Sequence, residues 1–270
     1  MAIITVEYLS KALKRNVTYK IVLPNDNLDS NNEYIKNPKK FKTLYLLNGY
    51  YGNCSDWLYY SRIEVYAREN NLCVVMPSGE NSFYVDALSG DNNYSEFIGK
   101  ELVMKTREIF PLSNKKEDTF IGGLSMGGYG AIINGLKYND TFSYVIGLSN
   151  ATNMFNKYTN TLYNEEFIFK DIESARNSSL NPKYFIDNCD NIKALPKFYM
   201  ACGLQDDLYK CNVDLKDYFV SKGLDVVWDE TDGAHNWYFW DSQILKAIKL
   251  LPLNYEEWMI CLEKIVRRIK

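Results

Sequence analysis

The sequence predicts an α/β fold: a mostly parallel, doubly wound sheet that begins with an antiparallel pair of strands and forms one domain. Three observations lead there. Two alternating segments come first, IITVEYL (3–9) and VTYKIVL (17–23), and they read as an antiparallel pair with one wet face. Six short, nearly continuous apolar runs follow, as expected of strands buried on both faces. Most of these runs are separated by stretches with helical periodicity, the alternation that builds βαβ units. A chain of 270 residues, 46% hydrophobic, is long enough to bury the core of one large α/β domain.

The elements can be read in order. After the N-terminal pair, PNDNLDSNNEYIKNPKK (24–40) is polar and charged, a surface loop. The apolar runs are TLYLL (43–47), LCVVM (72–76), TFIGGL (119–124), FSYVIGL (142–148), KFYMAC (197–202) and DVVW (225–228). Helical patterns occupy 57–69, 94–109, 126–138, 207–221 and 237–250. Residues 151–186 are polar and aromatic and too long for a bare connection, so they are expected to form a short lid-like insertion. The domain is assigned to 1–250. The tail, 251–270, spaces Trp258, Leu262, Ile265 and Ile269 at helical intervals and is expected to pack on the body or to mediate a homo-oligomer.

Composition excludes several classes. With 31 Lys and Arg against 34 Asp and Glu the formal charge is −3, which argues against a nucleic acid or an anionic membrane as partner. No apolar stretch approaches the ~18 residues of a membrane span. The start, MAIITVEYLSKALKR, lacks the charged region, apolar stretch and cleavage site of a signal peptide, so a cytoplasmic location is expected. The six cysteines form no CxxC pair and the chain holds one histidine, so neither a metal site nor disulfides are expected. No cofactor is implied.

Chemistry concentrates in FIGGLSMGGYGAI (120–132). Gly123-Leu124-Ser125-Met126-Gly127 is a G-x-S-x-G motif between a buried strand and a helix, the context in which a serine is held out on a strained turn. On so tight a turn a Cβ at either flanking glycine would collide with the neighbouring strand or helix. Ser125 is therefore the expected nucleophile. The Met126 N–H, at the helix N-terminus, is one expected donor to a developing oxyanion. A serine hydroxyl needs a base, and His235 is the one histidine available. It follows the last strand, where a doubly wound sheet brings its loops to the carboxyl edge. The acid that orients it should follow KFYMAC, where Asp206 and Asp207 both qualify by position. Asp229 and Asp232 lie too near His235 in sequence for the usual geometry. The second oxyanion donor should come from NGYYGN (48–53), with the Tyr50 N–H first and Tyr51 second. Around the substrate, Trp57 and Trp237 are the candidate pocket aromatics, Trp237 on the acyl side. No G-x-x-x-x-G-K-[ST] phosphate loop occurs.

Together these stretches resemble the esterase D-like α/β-hydrolases, in the tributyrin and acetyl esterase branch near feruloyl esterases and S-formylglutathione hydrolases. ITVEYLSKALKRNVTYKIVLP, LYLLNGYYGNCSDW, FIGGLSMGGYGA, CGLQDDLY and GAHNWYFW carry the resemblance, which reaches to about residue 250. It implies an α/β-hydrolase fold and a serine carboxylesterase acting on short-chain acyl esters, acetyl or butyryl, carbohydrate-linked or feruloyl. The family pattern at Gly203–Tyr209 selects Asp206 as the triad acid, and it supports Ser125, His235 and the N–H groups of Tyr50 and Met126 in their roles. Thioester hydrolysis and acyl transfer are alternatives on the same triad; a non-catalytic binding protein would be expected to have lost it. One position departs from the family: Asn48 precedes Gly49 where relatives have His-Gly.

Overall fold

The two N-terminal segments pair antiparallel along their whole length, β1 (Ala2–Ser10) with β2 (Arg15–Leu23), in a register that sets Val6 opposite Tyr19. β1 is a sheet edge, and its alternating exposure follows from having one face in water. β2 then pairs antiparallel with β4 (Leu72–Pro77). From there the sheet is parallel: β4 with β3 (Lys42–Leu47), β3 with β5 (Thr119–Leu124), then β6 (Tyr144–Leu148), β7 (Lys197–Gly203) and β8 (Val226–Thr231). The spatial order is β1-β2-β4-β3-β5-β6-β7-β8, a mixed, mostly parallel eight-stranded sheet of the α/β-hydrolase type. This is a computed structural model, and it describes residues 1–25, 40–87, 90–153 and 172–253.

The helices cover both faces. α1 (Asp56–Tyr60), α2 (Ile63–Glu69) and α9 (Trp237–Leu250) pack with Leu44, Leu46, Val74 and Phe120 on one side. α3 (Tyr94–Glu96), a π-helical turn at Phe97–Glu101, α4 (Leu102–Ile109), α5 (Met126–Lys137) and α8 (Tyr209–Ser221) lie on the other, against Tyr45, Leu47, Val75 and Ile121. Alternate residues of β3 thus feed opposite cores, which is why its sequence is apolar throughout.

Two elements depart from the expected boundaries. The helix expected over 57–69 is broken at Ser61, which is extended, and Arg62, whose N–H donates to Asp241 Oδ1 of α9 at 2.8 Å. A distant acceptor replaces the helical one. The strand expected at 225–228 runs on to Thr231, because β8 is an edge strand whose second half, Asp229-Glu230-Thr231, faces partly into water.

Of the expected insertion, residues 154–171 lie outside the described residues; beyond them come α6 (Ile172–Arg176) and α7 (Pro182–Asp187), the latter capped by the Asn181 side chain. The tail from 254 onward, with Cys261, also lies outside them. Cys54, Cys73, Cys189, Cys202 and Cys211 are free thiols. Among the described residues no helix is long and apolar enough to cross a membrane.

Candidate active site

β5 ends at Leu124 and α5 begins at Met126, so the reversal of direction falls on Ser125 alone. Its backbone is at φ 54°, ψ −117°, a conformation L-residues rarely adopt. Neighbouring backbone holds it there: Ser125 N–H donates to Leu148 O at 2.8 Å, and Ser125 O accepts from Tyr129 N and Ala151 N, each at 3.0 Å. The flanking glycines are required by space. A Cβ on Gly123 would stand 2.4 Å from Gly127 O, and one on Gly127 would stand 2.5 Å from Asn48 O. The first turn of α5 therefore lies directly against the loop that follows β3.

His235 reaches this serine from the loop after β8, with Nε2 3.0 Å from Ser125 Oγ. Its Nδ1 lies 2.9 Å from Asp206 Oδ2 and 3.2 Å from Oδ1. An ionised carboxylate can only accept, so Nδ1 carries the proton and the Nε2 lone pair faces the serine hydroxyl. The histidine loop is tied to the acid loop: Gly233 N–H donates to Gln205 Oε1 at 2.7 Å and Gln205 N–H to Gly233 O at 2.9 Å. Asn236 then caps α9 through Phe239 N–H.

Of the four candidate aspartates, Asp206 is the one within hydrogen-bond distance of His235. The Asp206 side chain is fully buried, and its Oδ1 also accepts Leu208 N–H at 2.8 Å. Asp207, one residue on, points into solvent. Asp229 is engaged by Lys246 at 2.9 Å and Gln243 at 3.1 Å, and Asp232 by Gln205 at 3.3 Å. Burial alone would raise the Asp206 pKa. The hydrogen bond and charge of His235, the Leu208 N–H and the Ser149 hydroxyl more than offset it and hold the carboxyl below its usual range.

On the facing loop, Asn48 is buried; its Oδ1 accepts Gly79 N–H at 3.0 Å and its Nδ2 donates to Gly49 O at 2.8 Å. The Tyr51 N–H, the second candidate donor from this loop, is committed to Asn81 Oδ1 at 2.7 Å. Trp57 is a core residue: it is 1% exposed, and its indole N–H donates to Leu47 O at 3.0 Å. It therefore buttresses the end of β3. Trp237, partly buried, packs edge-on against both Trp57 and Trp240.

Two further residues stand beside the triad. Trp240 stands edge-on to the His235 ring and donates its indole N–H to Ser149 Oγ; Ser149 lies at the carboxyl end of β6. Position at that sheet edge was the one available signal for Ser149. Among the described residues, no three His, Cys, Asp or Glu side chains converge in a way that would hold a metal ion.

The family described as "Putative esterase" matches residues 10–251 of the chain. An acetyl esterase from Caldicellulosiruptor saccharolyticus is 40% identical over 270 residues, covering 96% of this chain and 98% of its own. Among solved structures, the substrate-bound fluorophosphonate-binding serine hydrolase F of Staphylococcus aureus superposes with a TM-score of 0.81 at 32% identity, over 93% of this chain and 98% of its own. An S-formylglutathione hydrolase of the same organism gives 0.78 at 32%, with the same coverage. The motif, the sheet order and these likenesses agree: the chain belongs to that esterase family and is a serine hydrolase of the α/β-hydrolase fold.

Proposed function

We propose that the protein is a carboxylesterase for short acyl groups, acetyl and butyryl, working through an acyl-enzyme on Ser125. The observation that carries this reading is the hydrogen-bonded chain from Ser125 through His235 to Asp206, at 3.0 and 2.9 Å. Ser125 Oγ attacks the ester carbonyl as His235 Nε2 takes its proton, and Asp206 stabilises the imidazolium through Nδ1. The carbonyl oxygen, now negative, is held by the N–H groups of Tyr50 and Met126. Collapse expels the alcohol, which takes the proton from His235. Water then attacks the acyl-enzyme with the same base and releases the acid.

The 40% identity to an acetyl esterase supports the acetyl preference. A second reading, thioester hydrolysis, draws on the 32% identity to the S-formylglutathione hydrolase. A p-nitrophenyl acetate and butyrate assay on the wild type beside Ser125→Ala tests the first reading. Turnover that survives the substitution would refute the acyl-enzyme mechanism. Matched acetyl esters and thioesters then separate the two readings by kcat/KM.

A further inference from the structure

The loop after β4 stores backbone strain that the mechanism above does not use. Glu80, Asn81, Phe83 and Tyr84 all have positive φ, at 43°, 59°, 53° and 58°, and none is glycine. Such residues persist only where surrounding contacts over-determine them. Those contacts converge on Tyr84, which is completely buried. Its hydroxyl lies 3.0 Å from both the backbone oxygen and Oδ1 of Asn48. Its carbonyl accepts Asn134 Nδ2–H at 3.0 Å, and its ring covers Gly130, where a Cβ would come within 2.4 Å. Gly130 and Asn134 belong to α5.

Tyr84 therefore spans two elements. One is the helix whose first N–H, that of Met126, is one oxyanion donor. The other is Asn48, two residues before Tyr50, which supplies the second donor. Phe83 also bridges them, by ring packing against Tyr50 and against Tyr129 of α5; Tyr84 adds hydrogen bonds to both. Burial also pushes the phenol well above its ordinary pKa, so it remains a donor at any working pH.

We propose that Tyr84 is a positioning residue that fixes the spacing of the two oxyanion donors, acting from α5 through Asn48. This rests on the assignment of those donors given under the proposed function. A hole of fixed donors matters to the tetrahedral oxyanion far more than to the bound ester, so the effect should appear in kcat and not in KM.

The test is Tyr84→Phe, which keeps the ring and removes the hydroxyl, measured for acetyl ester hydrolysis and for binding of a simple alkylboronic acid, which forms a tetrahedral adduct on the serine. We expect kcat to fall about 10- to 100-fold with KM within about twofold, and boronate affinity to fall by the same factor. Asn48→Ala should give the same signature, and it carries the test if Tyr84→Phe does not fold. Adding Tyr84→Phe to Asn48→Ala should cost less than Tyr84→Phe alone, because the Oδ1 contact is already gone while the one to the Asn48 backbone oxygen remains. A lower melting temperature with kcat and boronate affinity unchanged would overturn the proposal, as would losses that simply multiply in the double variant. A wild type that neither hydrolyses esters nor binds boronate would remove the esterase reading and this one with it. An active wild type with an unaffected Tyr84→Phe would remove this one alone.

Discussion

The indole N–H of Trp240 donates to the hydroxyl of Ser149 at 3.0 Å, while the same indole stands edge-on to the His235 imidazole, ring centres 4.8 Å apart at 90°. An indole N–H can only donate, so it occupies a lone pair of Ser149 Oγ and leaves the hydroxyl proton free to turn toward the Asp206 carboxylate, on which Ser149 acts. Ser149 is fully buried at φ 49°, with its N–H bonded to Ala201 O at 2.8 Å, so it has little freedom to adjust. One tryptophan thus supports both the base and the acid. Trp240→Phe keeps an aromatic ring beside His235 and removes the N–H. It should lower kcat/KM by about 3- to 10-fold and stability by about 1 kcal/mol, the scale of one buried hydrogen bond. Steady-state kinetics and urea unfolding check the two effects separately.

The triad should behave as a unit. Ser125→Ala and His235→Ala should each reduce kcat on the order of a million-fold, and the double variant should be no slower than either alone, because a serine without its base is already inactive. The chain has no second histidine to substitute for the first. A His235→Ala enzyme that retained more than about one hundredth of the wild-type rate would show that His235 is not the base.

Asp206 gives the fold a pH dependence whose sign follows from the direction of its shift. Its folded pKa lies below the ordinary aspartate value of 3.8. Below that value the unfolded chain takes up a proton before the folded one does. The stabilisation from the Asp206 contacts is thus complete above about pH 4 and is lost as pH falls through the depressed folded pKa. Asp206→Asn lacks this contribution. The stability gap between wild type and Asp206→Asn should be full above about pH 4 and narrow steadily as pH falls below it. Urea denaturation of both proteins across that range measures it, and a constant gap would contradict the shift.

Most of the frame was legible because each inner strand is buried on both faces and therefore apolar without interruption. β8 was read short because an edge strand does not need that continuity. The break at Ser61 was hidden for a different reason: the acceptor that replaces the helical one for the Arg62 N–H, Asp241, lies 179 residues from Arg62. Asp206 and Asp207 are equivalent by position in the sequence and only the family pattern favours the first; in the fold Leu208 N–H and His235 Nδ1 close on Asp206 and leave Asp207 in water. Tyr84 carried no signal, and Ser149 only its position at the carboxyl end of β6. Their left-handed backbones are imposed by contacts from other elements, and neither glycine nor a turn motif marks them.

The oxyanion hole offers a sharper test than any side-chain deletion, since its donors are backbone groups. Tyr50→Pro removes the N–H and should lower kcat by about 100- to 1,000-fold with a much smaller change in KM. The comparator is Tyr50→Ala, which keeps the N–H and loses the ring that packs against Tyr51 and Phe83. If the ring's packing were what mattered, the two variants would lose activity together. If the N–H is what matters, the proline variant should be at least tenfold slower than the alanine variant while both retain similar melting temperatures. Tyr51→Ala provides the companion measurement: the Tyr51 N–H is bonded to Asn81 and its ring is exposed, so its removal should alter kcat by no more than about threefold. A Tyr50→Pro enzyme as fast as Tyr50→Ala would move the second donor away from Tyr50.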